Sequence, residues 1–240
     1  MYEIPEFKFN RDKCWYKNVC LDYQNKDLCH CACPMYKQYQ YLVNTAYIPE
    51  RLQYAENLQM TPGKDANEFK YLENIRKDIV NWVEEGNNLY LYSNEPGNGK
   101  TTWSIKLMCT YFDRIVEQVH FERRGLFLNV DEFIVAKKAA ITKRNPDLEA
   151  VEAIIPTIDL VIWDDIGMMP LSPYDHSFLY TLINQRIVNN KSNIFTSNVI
   201  DELLQTRVGT RLCDRILNTS AIVEFINPSQ RKPIRKGGRK

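Results

Sequence analysis

The hydrophobic positions of this chain change their spacing along its length. Between residues 66 and 85 they recur every three or four residues, as on one face of an amphipathic helix, and Gly86-Asn87-Asn88 ends that helix. Further on, apolar residues come in short continuous runs, which indicate buried strands. The runs predict strands at 89–92, 126–130, 160–163, 193–196 and 222–225.

Helix-like segments separate these runs. They lie at 101–119, 131–142, 148–155, 174–189 and 201–218. Strands that are apolar throughout and alternate with helices are typical of a parallel sheet covered on both faces. We therefore predict an α/β fold with a five-stranded parallel sheet flanked by helices.

The first 45 residues lack a long apolar period and cannot bury much of a core unaided. We therefore predict a small first unit at 1–45, a main domain at 46–228 and a tail at 229–240. No run of eighteen apolar residues and no secretory pattern is present, so a cytoplasmic protein is expected. Six of the last ten residues are basic and none is acidic, which is typical either of a flexible arm for nucleic acid or an acidic partner, or of a solvated tail.

Residues 93–102 lie between the first predicted strand and a predicted helix, and they have the features of a phosphate-binding loop. Gly97 and Gly99 let the backbone N–H groups surround a phosphate, Lys100 reaches the β- and γ-phosphates, and Thr101 offers its hydroxyl to Mg²⁺. Asn94 stands where the usual motif has its first glycine, and asparagine tolerates a positive φ. The predicted ATP-binding residues are Asn94, Pro96, Gly97, Asn98, Gly99, Lys100, Thr101 and Thr102.

Polar residues also follow the third and fourth predicted strands. Asp164 and Asp165 end the third, where one carboxylate would join Thr101 as a Mg²⁺ ligand and the next would act as general base or orient the attacking water. Asn198 follows the fourth strand and would help to position that water, although an Asx turn alone would also explain it.

Arg211 and Arg215 are four residues apart, so they lie on one helix face. They are far along the chain from the phosphate loop, and an arginine at such a place can stabilise the transition-state charge in a neighbouring subunit. The alternative is an ordinary surface helix with weak charge pairs.

Five of the seven cysteines fall between residues 14 and 33. Without a secretory signal, so dense a group of thiols indicates metal binding rather than disulfides. We predict that Cys14, Cys20, Cys29 and Cys33 bind zinc, because ligands three residues apart strain a tetrahedral site less than ligands one apart. An iron–sulfur cluster or reduced thiols without metal are the alternatives.

Four segments together, at 96–101, 163–167, 195–198 and 211–215, resemble the AAA+ ATPases that load replicative helicases, the DnaC/DnaI type of bacteria and phages. The resemblance covers about residues 45–228. It implies an ATPase acting at subunit interfaces, with a Walker B pair at Asp164 and Asp165, a sensor at Asn198 and an arginine finger at Arg215 beside Arg211. Arg186 resembles a further intersubunit arginine of the family.

The resemblance also implies partners. These are a DnaB-type replicative helicase held by the N-terminal unit, which carries zinc in part of the family, single-stranded DNA, and further copies of the chain. Three other functions stay open: an IstB-like transposase-helper ATPase acting on duplex DNA, a small-molecule kinase, and a nucleotide-binding adaptor without turnover. The kinase is disfavoured, because the region where its flexible arginine-rich lid belongs is a predicted helix at 201–218.

Overall fold

The computed structural model describes residues 9–25 and 27–230. The basic tail predicted from the sequence falls largely outside them, at 231–240. The strands are β1 (Asn88–Tyr92), β2 (Gly125–Asn129), β3 (Leu160–Asp164), β4 (Ser192–Ser197) and β5 (Ser220–Glu224). The α-helices are α1 (Pro34–Thr45), α2 (Ala66–Lys77), α3 (Ile79–Glu84), α4 (Lys100–Ile115), α5 (Val130–Thr142), α6 (Pro146–Ile154), α7 (Pro173–Val188), α8 (Asp201–Val208) and α9 (Thr210–Thr219).

The five strands form one parallel sheet in the order β2-β3-β4-β1-β5. This confirms the predicted fold class. Because every strand runs the same way, all the carboxyl ends lie at one edge of the sheet, and β3, β4 and β1 bring their polar end residues together there.

Alternate residues of the strands enter two separate cores. Leu89 and Leu91 of β1 face the core formed with α1, α2, α3 and α4, whereas Tyr90 and Tyr92 face the core formed with helices α5 to α9. The period-two alternation of a strand explains this division. The helix that follows the phosphate loop and the helix that carries Arg211 and Arg215 therefore cover opposite faces of the sheet.

Two predicted helices are each broken in the structure. The segment 66–85 divides at Asp78, whose φ of −115° and ψ of 33° are not helical. The segment 201–218 divides at Gly209, which has a φ of 84°. A side chain there would also be crowded, since a Cβ would lie 3.0 Å from Nδ1 of His176. Amphipathic spacing continued across both breaks, so it did not reveal them.

The first 45 residues are attached to the main domain by α1. Tyr39 and Leu42 of α1 are 1% exposed and belong to the same core as α4. Trp15 stacks on Tyr39 with ring centroids 5.0 Å apart, and the pKa of Tyr16 is raised by burial and by Asp113 in the last turn of α4. The hydrophobic core thus extends across the predicted boundary at residue 45. Among the helices described, none is long and apolar enough to span a membrane.

Candidate nucleotide site

The loop between β1 and α4 has the backbone of a phosphate-binding loop at its two glycines. Gly97 and Gly99 have φ values of 79° and 107°, which residues with a Cβ adopt only with strain. Asn94 is not among the described residues with positive φ, so the turn does not use the conformation that asparagine tolerates. Instead its side chain accepts a hydrogen bond from the Tyr92 hydroxyl at 2.6 Å.

Lys100 is the first residue of α4 and is 5% exposed. Its Nζ donates to the Glu95 carbonyl and to Oδ1 of Asn98, each at 3.3 Å, so the ammonium lies inside the curve of the loop. Asn98 is itself fully buried and donates to the Ser93 hydroxyl. The positive charge and the helix N-terminus thus face the same small volume, which favours a phosphate group.

Thr101 and Asp164 meet between α4 and β3. The Thr101 hydroxyl donates to Oδ1 of Asp164 at 2.8 Å. Burial, followed by the charge of Asp165, raises the pKa of Asp164 to about 6, although hydrogen bonds from Thr196 and Thr101 oppose the shift. A hydroxyl beside a buried carboxylate provides the hard oxygen ligands that Mg²⁺ prefers, and a bound cation would favour the charged carboxylate. The oxygen atoms of Thr101 and Asp164 therefore fit the predicted Mg²⁺ ion.

Thr196 of β4 was not predicted from the sequence, yet it connects the carboxylate of Asp164 to the backbone of Asp165. Its hydroxyl donates to Oδ1 of Asp164 at 2.8 Å and accepts from the backbone N–H of Asp165 at 3.0 Å. Asp165 has a φ of 58°, so this hydrogen bond holds a residue in an unfavourable conformation. The pairing of β3 with β4, which aligns Trp163 with Phe195, brings Thr196 there, and only the strand order could have revealed it.

Replacing Thr196 with valine should lower the free energy of unfolding by about 1–3 kcal/mol, because the N–H of Asp165 loses its acceptor and the buried carboxylate of Asp164 loses a donor. Thr196→Ser, which keeps the hydroxyl, is the matched control and should retain most of that stability. Urea unfolding of both variants without nucleotide measures the difference. Equal stability of the two would show that the hydroxyl is not what holds Asp165.

Two further polar residues missed from the sequence lie beside the carboxylates. Asn129, at the end of β2, hydrogen-bonds to Asp164 and caps α5 by accepting from the Glu132 N–H. Asp131 is close enough to Asp165 that burial and that second carboxylate raise its pKa. Several acidic groups therefore share this edge of the sheet, as is usual where a cation is bound.

Asn198 follows β4 at the same edge. Its Nδ2 donates to Sδ of Met168 at 3.3 Å, and its Oδ1 is buried without a hydrogen-bond partner in the described part of the chain. The side chain is thus held near the turn after β3. Its role in positioning water stays a prediction.

The two predicted finger residues lie on α9. Arg211 is exposed and Arg215 half-buried, while Leu212, Cys213 and Ile216 on the other side of the helix enter the core. Within the described ranges, neither guanidinium hydrogen-bonds to the phosphate loop, and α9 packs on the face of the sheet opposite to α4, the helix that follows that loop. The structure therefore does not place these arginines in their own subunit's phosphate loop.

Comparison with known proteins identifies the family. The sequence model of the IstB-like ATP binding proteins matches residues 35–237. The chain belongs to this family. The resemblance read from the sequence to AAA+ ATPases of the DnaC/DnaI type is confirmed at the level of family and fold. A search of curated proteins found no match.

Solved structures with a similar fold include proteins of replication initiation. The DnaC helicase loader is 17% identical to this IstB-like protein. The match covers 69% of this chain and 92% of the DnaC chain, with a TM-score of 0.57. DnaI is 16% identical, and the match covers 74% of this chain and 94% of the DnaI chain with a TM-score of 0.57. AMPPCP-bound DnaA from Aquifex aeolicus is 17% identical, and the match covers 74% of this chain and 51% of the DnaA chain with a TM-score of 0.54.

One arginine of this IstB-like protein was wrongly expected at a subunit interface. Arg186 is fully buried, and its guanidinium donates to Oδ1 of Asn193 at 2.7 Å and to the carbonyls of Ile155 and Ile158 at 2.6 and 2.7 Å. Burial lowers its pKa, although a guanidinium stays protonated at neutral pH. Arg186 joins α7 to the start of β3 and β4 and does not reach a neighbouring subunit.

The N-terminal cysteines of the IstB-like protein are all free thiols. The described residues contain no group of three or more side chains arranged to hold a metal ion. The four predicted ligands are nevertheless neighbours: burial raises the pKa of Cys14, and the nearby thiols of Cys29, Cys33 and Cys20 raise it further. A zinc site at these four cysteines therefore stays a prediction.

Proposed function

We propose that this protein hydrolyses ATP between subunits and uses the hydrolysis to deliver a ring-shaped replicative helicase onto single-stranded DNA. The observation that supports this best is the division of the candidate site. Lys100, Thr101 and Asp164 meet at one edge of the sheet, whereas Arg211 and Arg215 lie on α9, which covers the face opposite to α4. We infer that a site divided in this way is completed where two copies of the chain meet.

In this proposal each residue at the sheet edge has one task. Lys100 neutralises charge on the β- and γ-phosphates, while Thr101 and Asp164 would hold Mg²⁺, which would supply positive charge against the transition state. Asp165 takes a proton from the water that attacks the γ-phosphorus, and Asn198 orients that water. The bond from the γ-phosphorus to the bridging oxygen breaks, and ADP leaves. Arg215 of the neighbouring copy, with Arg211 beside it, stabilises the charge on the transferred group.

The partner-binding task falls to the N-terminal unit, residues 1–45. Three large apolar side chains there face solvent: Val19, Leu21 and Leu28 are 78%, 96% and 55% exposed. Exposed apolar groups on a small unit of this kind support protein binding. We propose that Cys14, Cys20, Cys29 and Cys33 bind zinc and thereby fix the loops that carry these side chains, since a unit with so little core of its own needs such a constraint.

A second candidate function is supported by the family itself. A transposase-helper ATPase of the IstB type would use the same ATP site, but would act on duplex DNA and would not bind a ring helicase. The match to the IstB-like family favours this candidate as much as the fold of DnaC and DnaI favours the first.

A transfer experiment separates the two functions. The full chain is mixed with a purified DnaB-type helicase, labelled single-stranded or duplex DNA, and ATP. Helicase loading predicts ATP-dependent arrival of the helicase on the single strand. Binding to duplex DNA without capture of the helicase would support the transposase helper instead.

The same experiment after zinc chelation tests the proposed metal. Chelation should abolish helicase capture while nucleotide binding persists, because Lys100 and Thr101 do not depend on the cysteines. Zinc content measured before and after chelation gives the direct control. Unchanged capture by a preparation without metal would contradict the zinc proposal and leave the loader proposal intact.

A further inference from the structure

The segment that follows β5 returns to the phosphate loop. Phe225 donates its N–H to the Tyr92 carbonyl at 2.8 Å, and residues 226–230 then run beside residues 61–65, which precede α2. We call residues 61–65 and 226–230 together the C-terminal clamp. Neither half belongs to the nucleotide-binding motifs of the sequence.

Buried polar side chains hold the clamp together. Asp65 is fully buried and accepts the N–H groups of Ile226 at 2.8 Å and Asn227 at 3.2 Å. Asn227 is 5% exposed, accepts the Lys64 N–H at 2.8 Å and donates to the Pro62 carbonyl. Each buried polar atom involved has a partner, so breaking the clamp would leave several of them unpaired.

The two halves of the clamp pack so closely at Gly63 that a residue with a side chain does not fit there. A Cβ there would lie 2.5 Å from Oδ1 of Asn227, and the φ of 53° also favours glycine. At its outer end, Gln230 exchanges two hydrogen bonds with the backbone of Thr61, at 3.3 and 2.9 Å. The clamp is therefore a specific structure and not a loose chain end.

The clamp reaches the nucleotide site through one backbone hydrogen bond. The N–H of Gln230 donates to the carbonyl of Gly97 at 2.8 Å. The peptide bond between Gly97 and Asn98 is trans, so its C=O and N–H point in opposite directions. With the carbonyl turned toward Gln230, the N–H of Asn98 points to the other side of the loop.

We propose that the C-terminal clamp is a positioning element of the nucleotide site, which holds the Gly97–Asn98 peptide with its N–H toward the phosphates. A phosphate-binding loop works by directing several N–H groups inward, and a peptide that must first rotate binds more weakly. Asp65 and Asn227 act only through this peptide and contact no nucleotide themselves. The proposal rests on the proposed function only in taking a nucleoside triphosphate as the ligand.

The test compares Gln230→Pro with Gln230→Ala in the full chain. Both variants lose the side-chain bonds to Thr61, but only proline lacks the N–H that Gly97 accepts. One neutral hydrogen bond corresponds to roughly 3- to 10-fold in affinity. The dissociation constant for ATP, measured by calorimetry, should therefore be roughly 3- to 10-fold higher for Gln230→Pro than for Gln230→Ala. The rate of ATP hydrolysis at saturating ATP should be the same for the two variants, because the hydrogen bond from Gln230 to Gly97 is made equally in the ground and transition states.

A second variant guards against a proline that simply disturbs the fold. Asn227→Ala loosens the clamp three residues away and should weaken ATP binding as well, with thermal unfolding showing that the sheet is intact. Equal ATP affinity of the proline and alanine variants, or unaltered affinity of Asn227→Ala, would overturn the clamp while leaving the loader proposal standing. An intact protein that binds no ATP would overturn both. If Gln230→Pro binds ATP more weakly as expected but the protein does not transfer a helicase, the result would contradict only the proposal of helicase loading.

Discussion

Replacing Lys100 with alanine should weaken ATP binding by about 10- to 100-fold, since one charge-assisted contact is lost. Turnover should fall by at least about 100-fold, because the ammonium stabilises charge that grows during phosphoryl transfer. The effect is large because Nζ lies in a buried place, with Lys100 only 5% exposed, where water screens its charge little. Calorimetry and a phosphate-release assay measure the two losses separately.

Lys106→Ala is the matched control on the same helix. Its Nζ lies 2.6 Å from Oε1 of Glu73, and both side chains are partly exposed. Such a pair contributes up to about 1 kcal/mol to stability. We expect nearly unchanged ATP binding in that variant. ATP binding by Lys100→Ala equal to that of Lys106→Ala would show that the loop between β1 and α4 is not the phosphate site.

Replacing Arg215 with alanine should lower the rate of ATP hydrolysis by roughly 1,000-fold, while ATP binding changes little. The guanidinium would act only in the transition state and only on the ATP of a neighbouring copy, so its loss affects turnover and not affinity. The measurement is turnover at protein concentrations where the chain self-associates. Arg144→Ala serves as control, because Arg144 is exposed and paired with Glu149.

Mixing two inactive variants tests whether the finger acts in trans. Arg215→Ala binds ATP but offers no finger, whereas Lys100→Ala offers the finger but no ATP. In an equal mixture, about a quarter of head-to-tail interfaces combine the working halves, so a comparable part of the activity should return. No recovery, or full activity of Arg215→Ala alone, would assign the finger elsewhere, with Arg211 the next residue to replace.

Much of the fold could be predicted because the apolar runs of the strands are continuous and the helices between them amphipathic. Leu160 to Trp163 has no polar residue, which is what a strand buried on both faces requires. The helix breaks were harder to predict. Gly209 and Asp78 interrupt helices through their backbone conformation, while the hydrophobic spacing on either side continues unchanged.

The candidate site could be predicted where its residues belong to a contiguous motif or end a predicted strand, as Asp164 does. Lys100 and Thr101 belong to a contiguous motif, whereas Thr196 reaches Asp164 through the pairing of two strands. Arg186 shows the reverse error, because it resembled an intersubunit arginine of the family and is buried. Its interior place depends on Asn193 and on carbonyl groups contributed by the segment before β3, which no spacing along the chain reveals.

The packing of α4 connects the nucleotide site to the N-terminal unit. This helix begins at Lys100, and Asp113 in its last turn lies beside Tyr16 of the cysteine-rich segment. Its 16 residues span roughly 24 Å, so one helix joins the two places. The nucleotide site and the N-terminal unit therefore share a continuous backbone element, whose first residue is Lys100 and whose last turn contacts Tyr16.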